Sequence, residues 1–200
     1  MRVAQGQGEG GSARSEDLLD VTRRAAALAR RKGASEAAVG AYHARHVEVV
    51  WRDGRVEKVS EATTRGLGLD LYVEGRYASV STNDLRPEAL ERFVERAVKL
   101  ARTLAPDPHR RLPDPERYAG QADLDLKLED PSYEALDATT RREQARRIEE
   151  AARAVGGAGR ILSVSTSASD TRSESALVHT NGFEGRRRGT DFWLGAEVTV

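Results

Sequence analysis

The stretch WRDGRVEKVSEATTRGLGLDLYVEGR (51–76) predicts a succession of β-strands joined by tight turns. Asp53 and Gly54 are the residue types that a two-residue type I′ turn requires, because both tolerate a positive φ. The returning segment RVEKVSE (55–61) alternates imperfectly, which predicts a β-bulge or an edge position. GLGLDLYV (66–73) alternates strictly, with aliphatic residues on one face and glycines and polar residues on the other. Neighbouring strands are predicted at 37–42, 47–51 and 76–82.

Amphipathic helices are predicted on both sides of these strands. The first has Ser15 as its N-cap and ends at Gly33. The second begins after a cap at Asn83 or Asp84 and carries its apolar stripe to residue 104. A third is predicted over 132–155, with a restart near Thr140 and its end at the glycines 156–157.

Four of the six prolines lie in APDPHRRLPDP (105–115), which predicts an extended, semi-rigid linker. Beyond it come a short extended segment (123–131), the third helix, and three strands at 160–169, 175–180 and 190–200. Runs of strands set between helices predict an α+β fold with mostly antiparallel sheets. We expect a flexible leader (1–14) and two α+β subdomains, 15–104 and 116–200.

Composition limits the possible functions. The chain has 32 basic and 32 acidic residues, and this zero net charge does not favour a dedicated nucleic-acid-binding protein. Cysteine is absent, which excludes disulfides and fits a reducing compartment. No apolar run has the length of about 20 residues that a membrane span needs, so we expect a cytoplasmic protein without a membrane partner.

The residues themselves offer little chemistry. His43 and His46 are three apart in strand-like sequence, where they point to opposite faces, so ordinary polar strand residues are favoured over metal ligands. Three consecutive arginines (186–188) are predicted in a loop, where they either contact a phosphate or acidic partner or remain solvated. TNGFEG (180–185) is typical of a hairpin or wide turn. We predict no catalytic and no metal-binding residue.

The chain resembles the N-terminal region of the TldD/PmbA family of zinc metallopeptidases. Three blocks carry the resemblance: VVWRDGRVEKVSEATTRGLGLDLYVEGRYASVSTNDLRPEAL, then LKLEDPSYEAL, then VHTNGFEGRRRGTDFW. They span most of the chain, from about residue 17 to residue 200. The TNGFEG segment is more similar to the PmbA-type (TldE) branch than to the TldD-type branch.

The resemblance implies a two-subunit assembly that encloses a chamber and trims unfolded or modified peptides, such as microcin precursors and antitoxins. An older link to DNA gyrase modulation also belongs to the family. The TldD-type subunit holds zinc through an HExxxH motif in its later half, and the PmbA-type subunit lacks those ligands. This sequence contains no HExxxH, so we expect no cofactor in this chain. Either the sequence ends before the catalytic half, or the protein never had one; the strand-like ending LGAEVTV (194–200) favours a continuation into an absent C-terminal half.

The expected function is therefore a substrate-guiding and assembly region that is not catalytic as an isolated chain. The alternative is a non-enzymatic module that binds protein or nucleic acid. A peptide can be held by main-chain hydrogen bonds to a sheet edge, which needs no special side chains. An exposed terminal strand is adhesive, so we also expect a homo- or hetero-oligomer. The candidate contacts with a peptide or partner are Gly66, Gly68, Asn181, Gly182, Phe183, Phe192 and Trp193.

Overall fold

Five antiparallel strands form one sheet. They are β1 (Glu36–Arg52), β2 (Arg55–Val73), β3 (Arg76–Thr82), β4 (Ser163–His179) and β5 (Glu184–Thr199), in the spatial order β3-β2-β1-β4-β5. The helices are α1 (Leu18–Arg31), α2 (Pro87–Thr103) and α3 (Ala138–Arg153), with 3₁₀ turns at Pro115–Tyr118, Pro131–Ala135 and Ala158–Arg160. The computed structural model describes residues 17–118, 124–155 and 158–200. The predicted α+β class with antiparallel pairing is confirmed.

The hairpin between β1 and β2 forms as the sequence predicts. Asp53 and Gly54 have φ angles of 47° and 84°, as a type I′ turn requires. Val50 pairs with Lys58 but Trp51 pairs with Val56, so one extra residue of β2 forms a bulge. The first part of β2 is also an edge, because β3 pairs only with the part from 67 to 73. The segment 55–61 therefore contains a β-bulge and also lies at an edge, so both predictions for its imperfect alternation are confirmed.

The strands are fewer and longer than predicted. The segments 37–42 and 47–51 belong to one strand, β1, and the segments 160–169 and 175–180 are joined within β4. The prediction of three closing strands was therefore wrong, and two are present. Polar residues in mid-strand suggested breaks, but β1 and β4 remain paired over fifteen consecutive positions, from Ala38 opposite His179 to Arg52 opposite Ser165.

Two helices start at an aspartate. Asp17 caps α1, while the predicted cap Ser15 lies outside the described residues. Asp137 caps α3 by accepting a 2.7 Å hydrogen bond from the Thr140 amide, which confirms the predicted restart near that threonine. The predicted end of α3 at the glycines 156–157 lies outside the described residues.

The predicted cap of α2 was wrong. Its N-cap is Arg86, which makes no side-chain capping hydrogen bond, and Pro87 follows at the first helical position. Proline at this position fixes φ near the helical value and leaves the first turn with one unpaired N–H fewer, which favours a helix start there. Asp84 instead binds the guanidinium of Arg86, with 2.8 Å between Oδ1 and Nε.

All three helices pack against one face of the sheet, on two separate cores. The larger core lies under α1 and α2, and the smaller one joins α3 to Val49 and Ala168. Between them this face is polar and carries His43, Arg45 and Glu174. In the larger core the fully buried sheet residues include Ala37, Val39, Leu67, Leu69, Leu71 and Val73.

The sheet is continuous across the Pro-rich linker. β1 precedes the linker, β4 follows it, and each core takes residues from both strands. The predicted boundaries at 104 and 116 lie just after α2 and within the 3₁₀ turn Pro115–Tyr118, and their status as limits of two subdomains stays a prediction. Among the helices in the described ranges, none is long and apolar enough to cross a membrane.

Candidate functional site

The sheet face opposite the helices carries a groove of about 1040 Å³. Two adjacent rows of residues, each running across four strands, form its base. One row is Gly68, Gly40, Leu177 and Gly185. The next row is Gly66, Tyr42, Ser175 and Arg187. The groove therefore lies on residues from β2, β1, β4 and β5, which are distant in sequence.

Glycine at the floor gives the groove its depth. Gly40 and Gly68 face each other across β1 and β2, and a Cβ placed on Gly68 would meet no atom within 4 Å. A Cβ on Gly66 would lie only 2.8 Å from Cε1 of Tyr42, so the tyrosine ring covers that glycine. Leu177 borders the floor on the other side and is 37% exposed, which is high for leucine. The result is an apolar trough with the half-exposed Tyr42 ring at its side.

Aromatic rings lie over glycines at two further places on β5. A Cβ on Gly185 would lie 3.1 Å from Cζ of Phe183, and a Cβ on Gly195 would lie 3.2 Å from Nε1 of Trp193. Glycine permits this close approach because it carries no side chain. Phe183 lines the groove, whereas Trp193 lies further along the strand and is 67% exposed.

The arginine triplet does not form one basic patch. It lies within β5, so its predicted location in a loop was wrong. Arg186 and Arg188 point to the helix face, where both guanidinium groups approach the carboxylate of Glu174. Arg187 lies opposite Ser175 on the other face and forms no hydrogen bond or ion pair with the residues that the structure describes. Strand alternation separates the three charges.

The linker packs across the end of the grooved face. The hydroxyl of Tyr118 lies 2.9 Å from Nδ1 of His179 and 3.2 Å from the carbonyl oxygen of Pro113. The side-chain amide of Asn181 donates to the same carbonyl at 2.8 Å. The rings of Tyr118 and Phe183 are 5.1 Å apart. Burial lowers the pKa of His179, and Asp70 partly opposes this effect. The linker therefore rests on the sheet beside the groove.

The predicted contact residues do not all meet at one place. Gly66, Gly68 and Phe183 line the groove. Asn181 instead anchors the linker, and Gly182 has a φ of 111°, so it serves the β4–β5 turn. Tyr42, Leu177 and Arg187 were missed, because only the pairing of distant strands brings them to the groove. For the floor of the groove, the glycines at 40, 66, 68 and 185 were the local feature of the sequence that could have indicated the site.

The end of β5 forms a second exposed region. Phe192 lies on the helix face with its ring 6.1 Å from that of Tyr133, and Trp193 lies on the grooved face. The Thr190 amide donates outward to the carbonyl of Leu128 at 2.9 Å. By alternation, the backbone groups of 192, 194, 196 and 198 also point away from β4.

A buried ion pair fixes α3 to the sheet. Nη2 of Arg141 lies 2.9 Å from Oδ1 of Asp170, and Nε lies 2.5 Å from Oδ2. Both side chains are almost fully buried, at 6% and 3% exposure. Burial alone raises the pKa of Asp170, but the combined effects of Arg141, Tyr133 and Arg45 outweigh burial and hold the pKa below its usual value. No local sequence pattern indicates this pair, which has a structural role.

The residues do not suit a metal ion. Across 17–118, 124–155 and 158–200, no three His, Cys, Asp or Glu side chains lie close enough together to hold one. His43 and His46 point to opposite faces of β1, as predicted, and Nδ1 of His46 lies 2.9 Å from the Thr171 hydroxyl.

Sequence comparisons identify relatives over both parts of the chain. The profile described as PmbA/TldA metallopeptidase domain 1 matches residues 37–101, and that of the central domain matches residues 129–200. Metalloprotease PmbA of Escherichia coli O157:H7 is 38% identical over 102 residues, which cover 50% of this chain and 23% of that protein. The matched half of the chain thus spans about a quarter of the length of this curated relative.

Solved structures share the fold. A protein of Bacteroides thetaiotaomicron, described as a proposed modulator of DNA gyrase, is 33% identical with a TM-score of 0.85 over 93% of this chain and 42% of its own. TldE from Thermococcus kodakarensis, at 16% identity, has a TM-score of 0.72 over 89% of this chain and 39% of its own, and shows likeness of fold alone. Together with the matched profiles, these findings show that the chain belongs to the PmbA/TldD metallopeptidase family.

Proposed function

We propose that this chain is the substrate-guiding and assembly region of a PmbA/TldD-type metallopeptidase and is not catalytic by itself. The observation that supports this most is the groove on the helix-free face of the sheet. Three predicted contact residues, Gly66, Gly68 and Phe183, line it. The proposed substrates are unfolded or modified peptides, and the proposed location is the cytoplasm.

The groove suits an unfolded segment better than a folded surface. Its base combines open glycine positions with the exposed side chains of Tyr42 and Leu177. A folded protein buries most of its bulky apolar side chains, whereas an unfolded chain presents them to solvent. An apolar side chain that enters the groove leaves water, which favours binding. The groove can therefore hold a peptide without any catalytic group.

The chemistry is assigned to another part of the assembly. No described residue cluster suits zinc, and the chain covers less than half of the solved structures that it resembles. We assign the chain to the PmbA-type branch, on the TNGFEG segment and the similarity to PmbA. In this proposal the metal site belongs to a TldD-type subunit.

The free edge of β5 is the proposed assembly surface. From 190 to 199 only Asp191 and Glu197 are charged, while Phe192, Trp193 and Leu194 are about half exposed or more. Edge strands normally carry charges or cover that prevent pairing with another chain. A strand of a partner subunit could hydrogen-bond to the outward backbone groups and cover these side chains.

We expect the chain to sediment as a dimer or larger species at micromolar concentration, and Leu194→Lys to shift it towards the monomer. The added lysine places a charge on the unpaired edge and so opposes strand addition. Val59→Lys is the control, since Val59 is also exposed but lies on the charged edge of β2. A monomeric wild type in analytical ultracentrifugation would rule out this edge as a self-association surface.

The alternative of a nucleic-acid-binding module has less support. A nucleic-acid surface needs a clustered basic patch. Here Arg186 and Arg188 approach Glu174 on one face, and Arg187 is alone on the other. The zero net charge of the chain also does not favour nucleic-acid binding.

The direct test is binding of an unfolded polypeptide. We expect a fluorescently labelled, reduced and carboxymethylated protein to bind this chain saturably in fluorescence anisotropy, because its apolar side chains are accessible. The same protein in its folded form is the control and is expected to bind much more weakly. Equal anisotropy changes for both forms, or none for either, would contradict the proposed role.

A further inference from the structure

We infer that the groove selects peptides in which a bulky apolar residue and an acidic one lie one or two positions apart, and that Arg187 determines the acidic preference. This inference rests on the proposed peptide-guiding function and names its substrate class. It depends on two features of the groove, an apolar slot and a single available cation beside it.

The slot lies over Gly40 and Gly68. No atom would lie within 4 Å of a Cβ on Gly68, while Leu177 Cδ1 would lie 3.7 Å from a Cβ on Gly40. The ring of Tyr42 lies over Gly66 in the adjacent cross-strand row. A leucine or phenylalanine side chain of a peptide can thus stand on the glycine floor between an aliphatic and an aromatic neighbour. A small or charged side chain would leave this apolar surface in contact with water.

The charged side chains that line the groove are arginines, whereas Asp70, on the same face two residues from Gly68, lies beyond the lining and accepts a hydrogen bond from the Tyr77 hydroxyl. Among the described residues that line the groove there is no aspartate or glutamate. Two arginines border it, but the side chain of Arg186 points to the helix face and binds Glu174. Arg187 is exposed and has no partner among the described residues. A carboxylate of the peptide on the β5 side of the groove would therefore meet an available guanidinium, because Asp70 lies on the other side, on β2.

Arg187 is at a suitable distance. It lies in the same cross-strand row as Tyr42, two strands away, which corresponds to about 10 Å between backbones. Residues i and i+2 of an extended peptide are about 7 Å apart. With an apolar side chain in the slot, an acidic side chain one or two residues further along comes within reach of the long arginine side chain. The geometry thus favours an apolar–acidic pair over either residue alone.

The test uses four labelled peptides that differ at two positions in a Gly/Ser background: Leu-Asp, Leu-Asn, Leu-Lys and Gly-Asp. We expect Leu-Asp to bind roughly threefold to tenfold more tightly than Leu-Asn, as for a partly exposed charge-assisted contact. Leu-Lys and Gly-Asp should be weaker still. Arg187→Gln should remove the preference for Leu-Asp over Leu-Asn. Arg55→Gln, at an exposed arginine on β2 outside the groove, should leave the preference intact.

The outcomes separate the two proposals. Equal binding of the three leucine peptides would overturn the acidic preference and leave the proposed function standing. A preference that persists in Arg187→Gln would assign the selection to another residue and overturn the role of Arg187. Gly-Asp binding as tightly as Leu-Asp would overturn the apolar slot. If none of the four peptides binds, the inference is overturned. If the unfolded polypeptide also fails to bind, the proposed function is overturned as well.

Discussion

Replacing Arg141 by methionine is expected to lower the free energy of unfolding by about 3–5 kcal/mol, the cost of breaking a buried ion pair from one side. Arg141 binds Asp170 through two hydrogen bonds, and it also donates to the carbonyl of Leu136 at 2.9 Å. Methionine fills much of the space but leaves the Asp170 carboxylate buried without a cation. The variant thus loses one of the contacts that hold α3 on β4, while the hydrogen bond from the Thr166 hydroxyl to the Ala145 carbonyl remains.

Urea unfolding, followed by circular dichroism, measures this effect. Arg147→Met is the matched control, because Arg147 lies on the same helix but pairs with Glu143 at the surface, where an ion pair contributes at most about 1 kcal/mol. The double variant Arg141→Met/Asp170→Leu should recover much of the loss, because no unpaired charge remains. An Arg141→Met stability within about 1 kcal/mol of wild type would mean that water or another residue compensates for the lost guanidinium.

The sheet could be predicted where its pattern is local. Strict alternation from Leu67 to Val73 matches a strand with one face fully buried, and Asp53-Gly54 has the composition of its turn. The bulge in β2 also leaves a local trace, since an extra residue interrupts alternation. Each of these signals lies within a few residues of its own structural consequence, which explains why the hairpin was predictable.

Long strands were harder to predict, because their polar middle sections resemble breaks. At Arg45 and Glu174 the helix-facing side of the sheet is polar, since this part lies between the two cores. The alternation of buried residues stops there although the backbone pairing continues. The packing of the linker on His179 through Tyr118 was equally hidden, since those residues are far apart in sequence.

The candidate site was predictable only in part, because several of its residues are far apart in sequence. Gly66 and Gly68 stand out as bare positions in a strand, and Phe183 as an aromatic residue in a turn. Tyr42 and Arg187 become neighbours of these residues only through the register of β1 with β2 and β4, and of β4 with β5. Sequence alternation gives the face of each side chain but not which strands are adjacent.

Gly68→Val, which fills the groove, is expected to weaken peptide binding by about tenfold or more, because a bulky apolar side chain of the peptide can then no longer be buried there. A Cβ at this position would meet no atom within 4 Å, so Gly68→Val should fold normally. Valine also favours the strand conformation. Its methyl groups would occupy the space above the floor that the peptide side chain needs.

Titration of the labelled Leu-Asp peptide with wild type, Gly68→Val and Gly159→Val tests the central claim most directly, namely that the grooved face holds the peptide. Gly159 is the matched control, because a Cβ there also meets no atom within 4 Å and the residue lies outside the groove. We predict that only Gly68→Val raises the anisotropy-derived Kd, by about tenfold or more, with unchanged urea unfolding. Saturable binding with the same Kd for all three proteins would contradict the account and place the peptide elsewhere on the chain, with the free edge of β5 as the first region to examine.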